Sequence, residues 1–340
     1  MKAAVVGCGA VGSYYGARLS QAGHEVHFLL RTDYEIVRRR GVQIHSPEGD
    51  FHVAPRCAAR PEEIGPVELV LIGLKTTAND QFTRLLPPLV GPATAIVTLQ
   101  NGMGNEEQLA RLFPAEQILG GLCFVCLNRT APGVIRHIGF GQVVLGEFQR
   151  PPQPRTHALA TLFQQASVPC TVSDNLARAH WEKLVWNIPF NGLGVAGAAG
   201  PEALRWLSEG EPTLDPSIAP SPNSFRARGE ARAHAPRCLP TDELLADPSW
   251  ARLVRELMLE VIAAARALGY EIPVAFAEKL VERTRAMGAY KASTLLDFEQ
   301  GQALELESIF FEPLRQATRA GVATPRLSAL CEVLTASDRR

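Results

Sequence analysis

The chain has 340 residues, enough for two domains that each bury a core, and its 34 basic and 35 acidic side chains leave a formal net charge of −1. Neither sign runs in a long tract, so neither a nucleic-acid partner nor an anionic membrane has an electrostatic warrant. With 46% hydrophobic and 20% charged residues, the composition is that of a folded protein and not of a disordered chain.

Seven cysteines, Cys8, Cys57, Cys123, Cys126, Cys170, Cys238 and Cys331, are scattered and mostly set in apolar runs. That usage reads as reduced thiols of a cytoplasmic protein. Cys123 and Cys126 form a single CxxC without a second pair, and a strand would turn the two side chains to opposite faces. They are read as structural, and no metal is expected. Strand-like sequence begins at Lys2, leaving no room for a signal peptide. The longest uncharged run, from Leu184 to Gly200, falls short of a membrane span and reads as a buried helix.

In chain order, Ala3 to Val6 predicts a strand, Val11 to Ala22 a helix closed by Gly23, and Glu25 to Leu30 a second strand. Val42 to Val53 reads as a hairpin turning at Pro47, Glu48 and Gly49. Further strands are expected near Glu68 to Leu74 and Ala93 to Leu99, each followed by helical sequence. Beyond Gly120 short strand-like runs are punctuated by Gly133, Gly139, Gly141 and Gly146. The proline-rich stretch from Arg150 to Arg155 then reads as a linker, giving domains at 1–150 and 151–340. Helical spacing covers Thr156 to Ala166, Asn175 to Gly197, Asp242 to Leu268, Val274 to Met287 and Glu305 to Ala320. The fold class is therefore α/β, a Rossmann-type dinucleotide-binding domain followed by an all-helical domain. Pro201 to Pro240 interrupts the second half with seven prolines and no apolar periodicity, and reads as an inserted, mobile or disordered loop.

Chemistry enters at GCGAVG, where Gly7, Gly9, Ala10, Val11 and Gly12 lie between the first strand and the first helix. The first glycine permits the tight turn, the second lets backbone approach a pyrophosphate, and the third lets helix pack on strand. The helix N-terminus offers unpaired N–H groups to phosphate. At the end of the second strand, where an NAD site places Asp or Glu, stands Arg31, whose donor fork suits a 2′-phosphate and implies NADP; a solvated arginine is the alternative. Thr32 offers a further hydroxyl donor.

Lys183, Asn187 and Asn191, at i, i+4 and i+8, share one face of an otherwise apolar helix. A buried polar stripe needs partners, and a polar substrate would supply them. Partial burial would make Lys183 a better proton donor to a carbonyl oxygen; a snorkelling lysine is the alternative. Pro189 is expected to kink this helix.

These pieces together resemble the ketopantoate reductase family. GCGAVG, Arg31, GLK ending at Lys75, QNGMG around Asn101, APGVIRHIGFGQ from Ala131, WEKLVWNIPFN, YKASTLLD around Ser293, LELE around Glu305 and GVATPRL all match its pattern, apart from the 201–240 insertion. The resemblance implies that Lys183 is the catalytic acid, with Asn187 and Asn191 in the pocket, and that Ser293 binds the substrate carboxylate. It implies that Glu305 contacts the substrate hydroxyl and orients the lysine, and that Lys75 and Asn101 line the nicotinamide side. Sequence alone leaves Glu305 and Glu307 open; the family spacing picks Glu305. Phe310 and Phe311 stand where the family has an Asn-Gly pair, and Thr294 and Leu296 where it has Met and Gln. Such changes move specificity among 2-oxo acids by about 10 to 200-fold per group.

The implied activity is NADPH-dependent reduction of a 2-oxo acid, ketopantoate to (R)-pantoate in coenzyme A biosynthesis, in a cleft between the domains. A reductase of another 2-oxo acid and a non-catalytic NADPH sensor are the alternatives. The expected partner is the small substrate, with a homodimer left open.

Overall fold

In the computed structural model, residues 1–199 and 237–338 are described. They divide into two compact units, Met1–Ala179 and His180–Arg340, with the division inside the helix Leu176–Ala196.

In the first unit the strands are β1 (Lys2–Val6), β2 (Glu25–Leu29), β3 (Val42–His45), β4 (Phe51–Val53), β5 (Arg56–Ala58), β6 (Val67–Ile72), β7 (Val90–Thr98), β8 (Ile118–Ala131), β9 (Val134–Glu147) and β10 (Cys170–Val172). They form one sheet in the order β4-β3-β9-β8-β7-β6-β1-β2-β5, with β10 beside β9. From β8 to β5 the neighbours run parallel, while β8 pairs antiparallel with β9 over most of their length. Strand β1 is buried on both faces: Ala3 and Val5 join one core, Ala4 and Val6 the other. This two-sided burial is what crossover connections impose on a parallel sheet. Chain order reverses at β1, which has β2 on one side and β6 on the other, and ligands of open α/β sheets bind beyond the strand ends at such a point.

The helix Ala10–Gln21 buries Tyr14, Tyr15, Ala17 and Leu19 against this sheet. Its Gly16 faces the Phe28 ring and Val5, where an added Cβ would come within 2.7 Å of the ring. The short strand-like runs expected past Gly120 are two 14-residue strands, because bulges absorb the irregular residues. Phe140 (φ 62°) and Gly141 (φ 134°) occupy left-handed backbone at one of these shifts.

The first compact unit continues past the proline-rich stretch from Arg150 to Arg155, as far as Ala179. The carboxylate of Glu147, at the end of β9, is fully buried and accepts hydrogen bonds from Arg150, Arg155 and Thr156. These bonds tie the proline-rich stretch and the helix Pro154–Gln165 to the sheet, and β10 then pairs with β9. A further helix, Tyr34–Arg40, escapes the sequence reading.

The second unit is helical. The run Asp242 to Leu268 is two helices, Thr241–Ala246 and Pro248–Ala267. Asp247 separates them: its carboxylate caps the N–H groups of Ser249 and Trp250, and Pro248 takes the first helical position. Leu253, Leu257, Val261 and Ala264 repeat on the buried face of the second helix. Ala275–Arg285, Ser293–Glu299, a π-helical turn at Glu307–Phe311, Glu312–Arg319 and Pro325–Asp338 follow.

Of the expected insertion, residues 201–236 lie outside the described residues. Residues 237–240 correct its far boundary. Cys238 is buried, the Leu239 N–H donates to Gly194 O at 2.9 Å, and Pro240 caps the helix Thr241–Ala246. The helix Leu176–Ala196 runs unbroken through Pro189. No helix among the described residues is long and apolar enough to cross a membrane.

Candidate active site

The turn after β1 exists because glycines fill it. Gly7 has φ 95°, and a Cβ there would fall 2.3 Å from the Leu74 nitrogen. At Gly12 it would fall 2.2 Å from Gly7 O, so the turn, the helix start and the end of β6 interlock through bare backbone. Gly9 differs. A Cβ added there meets nothing within 4 Å, so the loop has an open side. The first intrahelical bond runs from Ser13 N–H to Gly9 O, leaving the amides of Ala10, Val11 and Gly12 ahead of the ladder. No acidic residue lies in that first turn. These amides and the positive helix end suit a diphosphate.

Arg31 is exposed just past β2, where Leu30 N–H still bonds Ala58 O. The Thr32 hydroxyl, expected as a further donor, is turned to its neighbour and donates to Asp33 Oδ1 at 3.2 Å. Sequence reading missed Asp33, a buried carboxylate held by Arg129 from β8.

Lys75 is exposed after β6 and precedes the short 3-10 helix Thr76–Gln81; Asn101 is half-buried after β7. A chain of side-chain hydrogen bonds joins these two loops. Thr98 Oγ1 donates to Gln100 Oε1 (2.9 Å), and Gln100 Nε2 to Asn79 Oδ1 (2.7 Å). Asn79 Nδ2 then donates to Asn105 Oδ1 (3.0 Å), and Asn105 Nδ2 to the Asn101 carbonyl (3.1 Å). Gln100 belongs to the QNGMG motif, whereas Asn79 and Asn105 carried no signal in sequence.

In the second unit, Lys183 is half-buried, one turn before Asn187, which is 6% exposed. No hydrogen bond to the Asn187 side-chain amide occurs among the described residues. Asn191, 2% exposed, uses Oδ1 to accept the Ser293 hydroxyl at 3.3 Å and the Thr294 N–H at 3.0 Å. It thereby caps the helix Ser293–Glu299 from another element and fixes Ser293 beside the polar stripe. Trp186 leaves the stripe, stacking on Phe190 and donating its indole N–H to Thr284 Oγ1.

Glu305 and Glu307 are separated by burial. Glu305 is 4% exposed, whereas Glu307 is exposed and paired with Arg315. The π-helical turn begins at Glu307, two residues after Glu305, and such turns recur at functional sites. The Phe310 ring is fully buried beside Gly192, where an added Cβ would come within 2.9 Å of it. Phe310 is therefore a core residue.

Comparison with known proteins matches residues 3–150 to the family described as ketopantoate reductase PanE/ApbA, and residues 237–338 to its C-terminal domain. The 2-dehydropantoate 2-reductase of Nostoc sp. is 35% identical over 346 aligned positions, covering 100% of this chain and 96% of the relative. A solved 2-dehydropantoate 2-reductase from Geobacter metallireducens superposes with a TM-score of 0.85 at 43% identity, covering 98% of this chain and 99% of that one. Another, from Methylococcus capsulatus, has a TM-score of 0.80 at 30% identity and covers 98% and 96%. With its glycine turn, its helical polar stripe and these relatives over its whole length, the chain belongs to the ketopantoate reductase family.

Proposed function

We propose that this protein reduces 2-dehydropantoate to pantoate with NADPH. Relatives that carry this activity in their names span the whole chain, and the local chemistry agrees with them. The carrying observation is the polar face of one largely buried helix, where Lys183, Asn187 and Asn191 recur at every fourth residue, with Asn187 6% and Asn191 2% exposed. Polar side chains on a largely buried face need hydrogen-bond partners, so this face fits a polar ligand.

The glycine turn fits the dinucleotide, because its open side at Gly9 and the amides of Ala10 to Gly12 suit a pyrophosphate. Arg31 suits a 2′-phosphate, and Lys75 and Asn101 are assigned to the nicotinamide side. When bound, NADPH supplies the hydride. Lys183 donates its proton to the carbonyl oxygen of the substrate as negative charge develops there. Ser293, fixed by Asn191, donates a hydrogen bond to the substrate carboxylate, and the Asn187 amide bonds a substrate oxygen. Glu305 accepts from the substrate hydroxyl and orients the lysine.

NADPH oxidation with ketopantoate and a panel of neighbouring 2-oxo acids tests the assignment. Pantoate formation with the highest kcat/KM is expected; a clear preference for another acid replaces the substrate, and tight NADPH binding without turnover points to a sensor. Lys183→Ala should lower kcat by roughly 10² to 10⁴ and leave NADPH binding nearly unchanged. A variant with wild-type turnover removes Lys183 from the mechanism.

A further inference from the structure

The residues just past the second strand of a dinucleotide fold read the adenosine ribose: a carboxylate accepts its two hydroxyls, whereas an arginine pairs with a 2′-phosphate. This chain places both there. Arg31 is exposed, and Asp33, two residues on, is 7% exposed. An unneutralised carboxylate at Asp33 would repel the phosphate that Arg31 attracts.

Arg129 removes this conflict. From β8, ninety-six residues away in sequence, its Nη2 lies 2.6 Å from both Asp33 oxygens and its Nε 3.1 Å from Oδ2. The Thr32 hydroxyl completes the set at Oδ1. Both carboxylate oxygens are thus occupied by donors of the protein itself, in the forked geometry that arginine offers and lysine does not. Asp33 is also close to the glycine turn. Burial pushes the Cys8 thiol well above its ordinary range, and the neighbouring Cys57 and Asp33 add to the effect. Asp33 contributes no side-chain cap to the helix Tyr34–Arg40 that it precedes, because its carboxylate is spent on Arg129 and Thr32.

We propose that Arg129 is a positioning residue for cofactor choice: by holding and neutralising Asp33 it keeps this pocket open to a 2′-phosphorylated adenosine and closed to ribose-hydroxyl recognition. The inference rests on the NADPH reading above. Without Arg129, the Asp33 carboxylate carries its charge toward the phosphate and regains acceptors for hydroxyls.

The test is calorimetric binding of 2′,5′-ADP and 5′-AMP to the full-length protein, which needs no turnover. Wild type should favour 2′,5′-ADP. Arg129→Ala should cut that preference by about tenfold or more, since like charges brought together are strongly unfavourable. Asp33→Asn should keep the preference, and the double variant Asp33→Asn/Arg129→Ala should return it to within about threefold of wild type, as expected when the carboxylate is the cause. Arg129→Lys should fall between, having charge without the fork. Should Arg129→Ala fail to fold, the comparison of Asp33→Asn with the double variant decides. Retained preference supports the inference; lost preference overturns it, as does a folded Arg129→Ala with wild-type preference. Wild type without any preference overturns the NADPH reading, and this inference with it.

Discussion

Asn191 and Ser293, 102 residues apart in sequence, are joined directly: the Ser293 hydroxyl donates to Asn191 Oδ1 at 3.3 Å. The same oxygen accepts the Thr294 N–H, so one buried amide both holds the Ser293 hydroxyl and caps the start of a helix. Two roles in one side chain can be separated by mutation.

Asn191→Ala removes the acceptor of both donors and leaves the Thr294 N–H buried and unpaired. It is expected to cost about 1 to 3 kcal/mol of unfolding free energy and to raise the KM for the oxo acid. Ser293→Ala keeps the helix-capping bond, so its stability loss should be smaller, while KM rises about 10 to 100-fold if the hydroxyl serves a carboxylate. Urea unfolding and steady-state kinetics on the two variants check this. A Ser293→Ala protein with the stability of Asn191→Ala and an unchanged KM would make the pair purely structural.

Burial divides the two glutamates that sequence left open. Glu305→Gln removes a buried carboxylate and is expected to lower kcat by roughly 10² or more if it orients the proton donor. Glu307→Gln removes an exposed partner of Arg315 and should leave kcat within about twofold, as surface ion pairs contribute little. Equal losses in the two variants would sink the assignment.

Glu147 gives a pH signature. Burial raises its carboxyl, but the hydrogen bonds from Arg155, Thr156 and Arg150 outweigh burial and hold it below the ordinary carboxylate value. A depressed folded value contributes stability above the unfolded value, and that contribution fades as pH falls through the folded one. Glu147→Gln should therefore destabilise the protein by about 1.5 to 3 kcal/mol near neutral pH, with the gap to wild type narrowing below about pH 4.5. Denaturant unfolding at neutral and acid pH measures the gap. A gap independent of pH would mean that shape, not charge, holds the corner.

What sequence made legible was local. The glycine turn and the stripe Lys183, Asn187 and Asn191 are set by spacing along one strand-turn-helix unit or one helix, and the structure has both elements where the spacing puts them. Pairings across the fold were not legible. Asp33 and Arg129 are joined only because β8 passes the end of β2's loop, and no periodicity carries that information. Glu147 looked like the end of a strand before a linker, yet three donors turn it into an anchor that ties the proline-rich stretch to the sheet. The split at Asp247 was signalled by Asp-Pro, but apolar spacing continued across it and masked the cap.

Residues 201–236 carry many prolines and no apolar periodicity in sequence. The chain is anchored on both sides: Ala198 is buried, and past the segment Leu239 bonds Gly194 O while its side chain meets the Gly197 position. Loop-closure cost changes only slowly with length, about 0.6 kcal/mol per doubling. Replacing 201–236 by a short Gly-Ser linker, with 237–240 kept, should therefore hold the thermal midpoint within a few degrees and preserve NADPH binding. Removing 237–240 as well should cost more, because it takes away buried Cys238, the Leu239 bond and the Pro240 carbonyl that accepts the first bond of the next helix. Scanning calorimetry on the two deletions measures the difference, and kinetics on the first tests the site. A KM change below about tenfold fits a spacer, since the loss of even one substrate contact commonly exceeds it. Insoluble or cofactor-free protein after the shorter deletion would mean that the segment packs as part of the helical unit, and the spacer reading would fall.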